Sequence, residues 1–347
     1  MKTFLIIGAG LSGCTVARTL ADAGHTVHIV EKRPHLGGNV FDYVNEHGHR
    51  IHKYGPHIFH TSNMEVVDFL SRFTEWVPYE HRVKALLEDG QLVTLPVNKE
   101  TKAIVGEENV IETFFRPYTE KMWGMKLEDV APSVLKRVPV RDDMNELYFP
   151  DDTFQAMPKY GYISMINEML NHANISCDYD SDLSKSNTLS RLTLSLLTKA
   201  DHVFNSMPID EYFEYEHGKL AYRSLRFHTQ SVPIGQAFPV ANVNFTDREP
   251  YTRVTEWKNF PNSYGDSKFT TLTWEEPCND FDNNNERFYP VKDVDGKNRE
   301  LYNEYRKMVD TDRMTFIGRL GMYVYTNMDM AVNSSKRITE RHLAKSK

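Results

Sequence analysis

FLIIGAGLSGCTVARTLADAGHTVHIVE, residues 4–31, is the stretch that decides the fold. Its apolar start predicts a strand over Phe4 to Ile7, then a turn holding Gly8, Gly10 and Gly13. A helix follows from Leu11 and Ser12 to Ala23, and a second strand from Thr26 to Val30 ends in Glu31. This is the dinucleotide-binding order of elements. The glycines permit the tight turn, the approach of backbone to a pyrophosphate, and close helix–strand packing. The helix N-terminus offers unpaired N–H groups and the positive end of its dipole to the phosphates. Glu31 is placed to accept hydrogen bonds from the adenosine ribose.

Glu31-Lys32-Arg33 then runs into Leu36-Gly37-Gly38-Asn39, a second glycine turn. It is similar to the extended fingerprint of flavoproteins, whereas nicotinamide dehydrogenases usually continue directly into a helix here. FAD is therefore the expected cofactor.

Composition sets the outer bounds. A chain of 347 residues suggests two or three domains. Its 40% hydrophobic and 26% charged residues describe a globular protein. A net charge of −7 argues against a nucleic-acid partner but allows an anionic ligand in a local basic pocket. No apolar run approaches the length of a membrane span, and the first residues read as the cofactor strand rather than a secretory leader. Cys14, Cys177 and Cys278 make no metal or disulfide pattern. The expected compartment is the cytoplasm.

Further along, Met64 to Phe73 has helical spacing, and Val83 to Leu87 with Gln91 to Leu95 predicts a hairpin around Glu88-Asp89-Gly90. Residues 99–122 predict helix; Ser181 to Lys199 shows no single period and is expected to be strands and loop. Phe204 to Pro208 is expected to return as a strand to the cofactor sheet. Short alternating runs between Tyr222 and Thr273 predict an antiparallel sheet, and Asp280 to Glu286 a polar surface loop. Glu300 to Val309 predicts a helix, and Thr315 to Ile317 a buried strand turning at Gly318. The expected fold is α/β, with three parts. A discontinuous Rossmann-like FAD domain spans 1–62, 160–215 and 298–347. A short helical insertion spans 63–80 and 97–147, and an antiparallel sheet domain 81–96, 148–159 and 216–297.

Ten separated segments carry a resemblance to one family. They are HLGGN (35–39), HKYGPHIFHT (52–61), YTEKMWG (118–124), VLKRVPVR (134–141), NELYF (145–149), PIDEYFEY (208–215), LAYRSLRF (220–227), PYTR (250–253), YPVKD (289–293) and GRLGMYVY (318–325). In this order, across most of the chain, they resemble the UDP-galactopyranose mutases. The resemblance implies a ring contraction of a nucleotide sugar without net redox change, performed with reduced FAD. In the family, flavin N5 attacks the anomeric carbon and displaces the nucleotide diphosphate; the adduct opens and recloses as a furanose. NAD(P)H or another reductant would supply the reduced cofactor. The expected product feeds cell-surface polysaccharide synthesis, and a homo-oligomer is possible.

The same resemblance assigns residues. Arg137 and Arg253 would hold and neutralise the leaving diphosphate, work that suits a permanently charged planar fork. Trp123 would stand beside sugar and diphosphate, and Tyr118 and Phe114 would sandwich the base, with core packing the equal alternative for Phe114. Tyr148, Tyr289 and Tyr325 would reach the diphosphate or sugar. His57, with Ile58 beside it, matches the loop against the flavin ring, with His60 supporting that loop. Arg319 would contact the pyrophosphate, and Met328 lies where the following helix approaches the flavin. With Gly8, Gly10, Leu11, Ser12, Gly13, Glu31, Lys32, Gly38 and Asn39, these make up the expected cofactor and substrate contacts. The histidines at 47, 49, 52, 57 and 60 fit no zinc spacing, and no metal is expected.

Three departures bear on substrate. Only about twenty residues separate LPVN (95–98) from YTEKMWG, where the family carries several dozen. Asn327 stands where the family usually has aspartate, and Met322 where it usually has glutamate. The default substrate is UDP-galactopyranose; UDP-N-acetylgalactosamine, dTDP-fucose or another nucleotide sugar are alternatives. An FAD oxidoreductase of the amine-oxidase type, or a non-catalytic nucleotide-sugar binder, are the readings of a different class.

Overall fold

The computed structural model describes residues 1–130, 139–183, 185 and 188–345. Arg137 lies outside them. Thr3–Ile7 is the opening strand, buried from Phe4 to Ile7. A near-continuous apolar run of this kind suits a parallel strand covered on both faces. It sits in the centre of a five-stranded parallel sheet. The order is Ile175–Asp178, Thr26–Val30, Thr3–Ile7, His202–Asn205 and Met314–Phe316. The helix Leu11–Asp22 covers one face, burying Cys14, Val16, Ala17 and Leu20. The 18-residue helix Met328–Lys345 joins it there, with Val332 fully buried in the same core.

The other face is covered by Arg191–Lys199, a helix where the sequence suggested strands and loop. Ser190 caps it by accepting a hydrogen bond from the Thr193 N–H. Leu196 packs on Leu5, Ile7, Val30 and Val203. Leu192 and Leu194 point to solvent, which is why the leucine spacing carries no clean period.

A seven-stranded sheet forms the other half. Its order is Tyr289–Pro290, Tyr222–Val232, Thr270–Asn279, Arg253–Glu256, Asn242–Phe245, Val83–Leu86 and Leu92–Leu95. Tyr222–Val232 and Thr270–Asn279 pair antiparallel from Arg223↔Asn279 to Val232↔Thr270, longer than the alternation suggested. One pairing departs from the antiparallel expectation: Asn242–Phe245 runs parallel to Val83–Leu86, because the hairpin docks from a remote part of the chain. Phe154–Pro158 pairs with Phe59–Thr61 and Trp76–Pro78 in a separate three-stranded sheet.

The helical stretch at 99–122 is broken. Lys99–Val105 ends at Gly106, in a positive-φ conformation. A π-helical turn over Ile111–Phe115 then leads into Arg116–Trp123, with Pro117 in its first turn, where a missing N–H costs nothing. Nor is residues 280–286 merely a surface loop. Asn283 donates to Ser224 Oγ and Leu225 O, and Glu286 pairs with Arg33 at 2.5 Å. That segment ties the seven-stranded sheet to the end of the second parallel strand.

Candidate active site

At the C-terminal ends of the parallel strands a cleft of about 220 Å³ opens to solvent. It is lined by Gly8, Gly10, Leu11, Ser12, Gly13, Glu31, Lys32, Gly38, Asn39, His57, Arg319, Asn327 and Met328. The backbone shapes it. Gly8 has φ +96°, and a Cβ there would run into Ser206 Oγ; a Cβ on Gly13 would run into the Gly8 carbonyl oxygen. Gly10 bridges to Gly37, closing the two glycine turns on each other. The helix Leu11–Asp22 has no side-chain cap at Gly10 and no acidic residue in its first turn. Its first N–H groups are therefore left for an anion. Glu31 accepts from Ala9 N–H at 2.7 Å and from Arg33 N–H at 2.9 Å, which fixes the carboxylate at the wall of the cleft. Uncapped donors beside a held carboxylate fit the pyrophosphate and ribose of FAD.

Arg319 joins this cleft to a second group of side chains. Its Nη1 donates to Phe288 O at 3.2 Å and its Nη2 to Thr326 O at 2.7 Å. The guanidinium sits 5.2 Å from the Tyr289 ring and 5.0 Å from Tyr325. Those two rings stack at 5.8 Å. Burial pushes the Tyr289 hydroxyl well above its ordinary pKa, so it remains a hydrogen-bond donor. Beyond them stands Arg253, at the start of its strand. Its Nη2 donates to Tyr118 Oη at 2.7 Å, and its Nε lies 3.4 Å from Glu275 Oε2. Both Arg253 Nε and Glu275 Oε1 are buried without a hydrogen-bond partner. Buried polar atoms left over in this way are a cost unless a ligand completes them. Burial raises the Glu275 carboxyl pKa, and the charge of Arg253 opposes the rise.

Trp123, Tyr118 and Tyr289 share one apolar cluster with Met122, Leu225 and Phe288. Tyr148 lies edge-on to Phe149 and His81, near enough to Arg253 to bear on its charge. Two expected contacts are placed elsewhere. Phe114 is buried among Val83, Val93, Leu95 and Val110 as part of the core beneath the hairpin. Ile58 packs on the core of the parallel-sheet half, and only His57 of that pair lines the cleft.

The histidines do separate work. His47 stacks on Phe269, and His49 bonds Thr271. His52 accepts from the His57 N–H, and His60 pairs with Asp152 at 2.6 Å while stacking on Phe149. His57 Nδ1 lies 2.8 Å from Gly55 O. A carbonyl only accepts, so Nδ1 carries the proton and Nε2 is the acceptor. Burial lowers the His57 pKa to about 4, keeping the ring neutral.

Several lining residues were given no role from the sequence. Ser206, Met207, Glu211 and Arg287 reach the cleft from the turn after His202–Asn205 and from the far end of the sheet. Arg287 is anchored by Asp210 at 3.1 Å and Asp280 at 3.0 Å. Glu275 was legible only as an acidic residue among threonines in TTLTWEEP, where alternation puts it on one face with Thr271 and Thr273.

Comparison with known proteins agrees with this geometry. The sequence model of UDP-galactopyranose mutase matches residues 113–325, and that of an NAD(P)-binding Rossmann-like domain matches residues 6–73. A probable UDP-galactopyranose mutase from Klebsiella pneumoniae is 32% identical, covering 99% of this chain and 95% of its own. A dTDP-fucopyranose mutase from Escherichia coli is 33% identical over the whole of both chains. The crystal structure of a reduced UDP-galactopyranose mutase superposes with a TM-score of 0.75 at 15% identity, covering 99% of this chain and 94% of that one. The chain belongs to the UDP-galactopyranose mutase family.

Proposed function

We propose that this protein interconverts the pyranose and furanose forms of a nucleotide-diphosphate hexose, with UDP-galactopyranose as the default substrate and reduced FAD as cofactor. One observation carries the reading. Arg253 is a half-buried guanidinium, its Nε fully enclosed, held by Tyr118 and Glu275, and Tyr289 links its surroundings to Arg319 in the dinucleotide cleft. Bound and reduced, FAD supplies the nucleophile for the anomeric carbon, so the chain needs no activated Ser or Cys of its own.

What the chain supplies is binding and charge. Arg253 stays cationic and lies where a leaving diphosphate can be neutralised, and Arg137 is assigned the same work. Tyr289 lies near enough to Arg253 to bear on its charge, and its ring stacks on Tyr325 beside Arg319. His57, neutral and protonated on Nδ1, offers a fixed acceptor and no acid above a pH of about 4. Substrate is the finer question. The relatives named for UDP-galactopyranose and for dTDP-fucopyranose lie at the same distance, so dTDP-fucose is a second reading with its own support. UDP-N-acetylgalactosamine remains a third. No helix among the described residues is long and apolar enough to cross a membrane; a cytoplasmic enzyme serving cell-surface polysaccharide synthesis is the setting we propose.

The test is anaerobic incubation of dithionite-reduced protein with a panel of UDP- and dTDP-pyranoses, read by chromatography. A furanose product that requires reduction names the sugar. Net consumption of an electron acceptor instead would replace the mutase with an oxidoreductase.

A further inference from the structure

We infer that Lys121 is a positioning residue for the reaction: it locks the loop that leads into Arg253 against the helix that carries Tyr118. This rests on the reading of Arg253 as the diphosphate-binding group.

Lys121 lies on the helix Arg116–Trp123, three residues after Tyr118, so both side chains leave one face of that helix. Its ammonium is mostly buried, with the side chain 10% exposed. It donates to Tyr251 O at 2.8 Å and Asp247 O at 3.0 Å, with Phe245 O and Asp247 Oδ1 each at 3.5 Å. Those acceptors belong to both limbs of the loop joining Asn242–Phe245 to Arg253–Glu256. The loop is closed over a lysine, two residues before Arg253. Burial lowers the pKa of this lysine and Asp247 opposes the effect.

The helix itself is fixed from the other side. Arg223, 6% exposed, donates through Nε to Met122 O at 2.8 Å and through Nη2 to Lys121 O at 3.1 Å. These are last-turn carbonyls with no intrahelical partner, so Arg223 caps the helix end. A cation at a helix C-terminus is also favoured by the dipole. At the other end the helix grows out of the π-helical turn over Ile111–Phe115, a wider winding than the α-helix that follows. Lys121 is then the tie that sets how far Tyr118 stands from Arg253. Without it the Tyr118–Arg253 bond is the direct tie left between the helix and this end of the strand, and Arg223 holds only the helix's C-terminal end.

The experiment uses the FAD-loaded, oxidised protein and measures binding of UDP and of dTDP by tryptophan fluorescence. Lys121→Met keeps the stem and removes the charge and the donors. The expected result is full FAD content with nucleotide affinity about tenfold weaker. In the double variant Lys121→Met/Arg253→Ala, binding should be no weaker than in Arg253→Ala alone, because the lysine acts through the arginine. Lys121→Gln, which keeps an N–H donor group, should fall between wild type and Lys121→Met; it also serves if the methionine variant does not fold. Additive losses in the double variant, or wild-type affinity in either single variant, overturn the inference. If the unmodified protein binds neither nucleotide, it is the mutase reading that fails.

Discussion

The cofactor cleft and the cluster of side chains around Arg253 are built in opposite ways. The cleft is a backbone object, formed by two neighbouring glycine turns, an uncapped helix end and a carboxylate held by N–H groups, all within residues 8–39. The cluster is a side-chain object, drawn from residues 118–123, 148, 253, 275, 289 and 319–325. At Gly8 and Gly13 the backbone tolerates no substitution, because an added carbon has nowhere to go. A cage of long side chains can be retuned one member at a time, which suits a family whose relatives are named for different sugars.

This contrast can be broken in graded ways. Gly13→Ala puts a carbon against the Gly8 carbonyl and should abolish FAD retention, read from the flavin-to-protein absorbance ratio. Arg253→Ala should keep the flavin and lose about 10²–10³ in turnover, the cost of removing one preorganised charge partner. A variant that loses its flavin as well would erase the distinction between the two regions. Tyr118→Phe deletes the bond to the guanidinium, worth about 1.5–3 kcal/mol for a charged partner. It should raise KM for the nucleotide sugar about tenfold at normal FAD content. Phe114→Leu should lower stability by about 1 kcal/mol and leave KM alone, since that ring is core. A raised KM there would put Phe114 back beside the base.

The smallest effect is on pH dependence. Burial lowers His57 to about 4 and His81 to about 3. Unfolded imidazoles take up protons near 6.5, whereas the folded ones wait until those lower values. Stability contributed by the neutral rings is therefore complete above about pH 6.5 and is lost as pH falls toward 4 and 3. His81→Phe should make the melting temperature less sensitive between pH 7 and pH 5. An unchanged slope would mean that His81 carries none of it.

How much was legible follows the same division. The first strand, helix and second strand were readable because glycine spacing and apolar runs are local signals, and Thr26–Val30 stands where the sequence placed it. The helix Arg191–Lys199 was missed because two leucines face solvent and blur its period. Arg253, Tyr118 and Trp123 were named through motif resemblance, and the fold brings Tyr118 to Arg253 and into one cluster with Trp123; Phe114, for which core packing was the equal alternative to the base, packs in the core beneath the hairpin. Glu275 and Lys121 escaped because their meaning lies in partners more than twenty residues away.

The sequence by itself determined a dinucleotide site, because turn, helix end and carboxylate all lie within one short stretch whose backbone has few alternatives. Only the tertiary structure decided the rest: that Arg253 faces Tyr118 and Glu275, that Arg319 stands beside two stacked tyrosines, and that a lysine closes the loop leading into Arg253. Strand pairing across a seven-stranded sheet brings those residues together, and long-range pairing of that kind leaves no mark in local spacing.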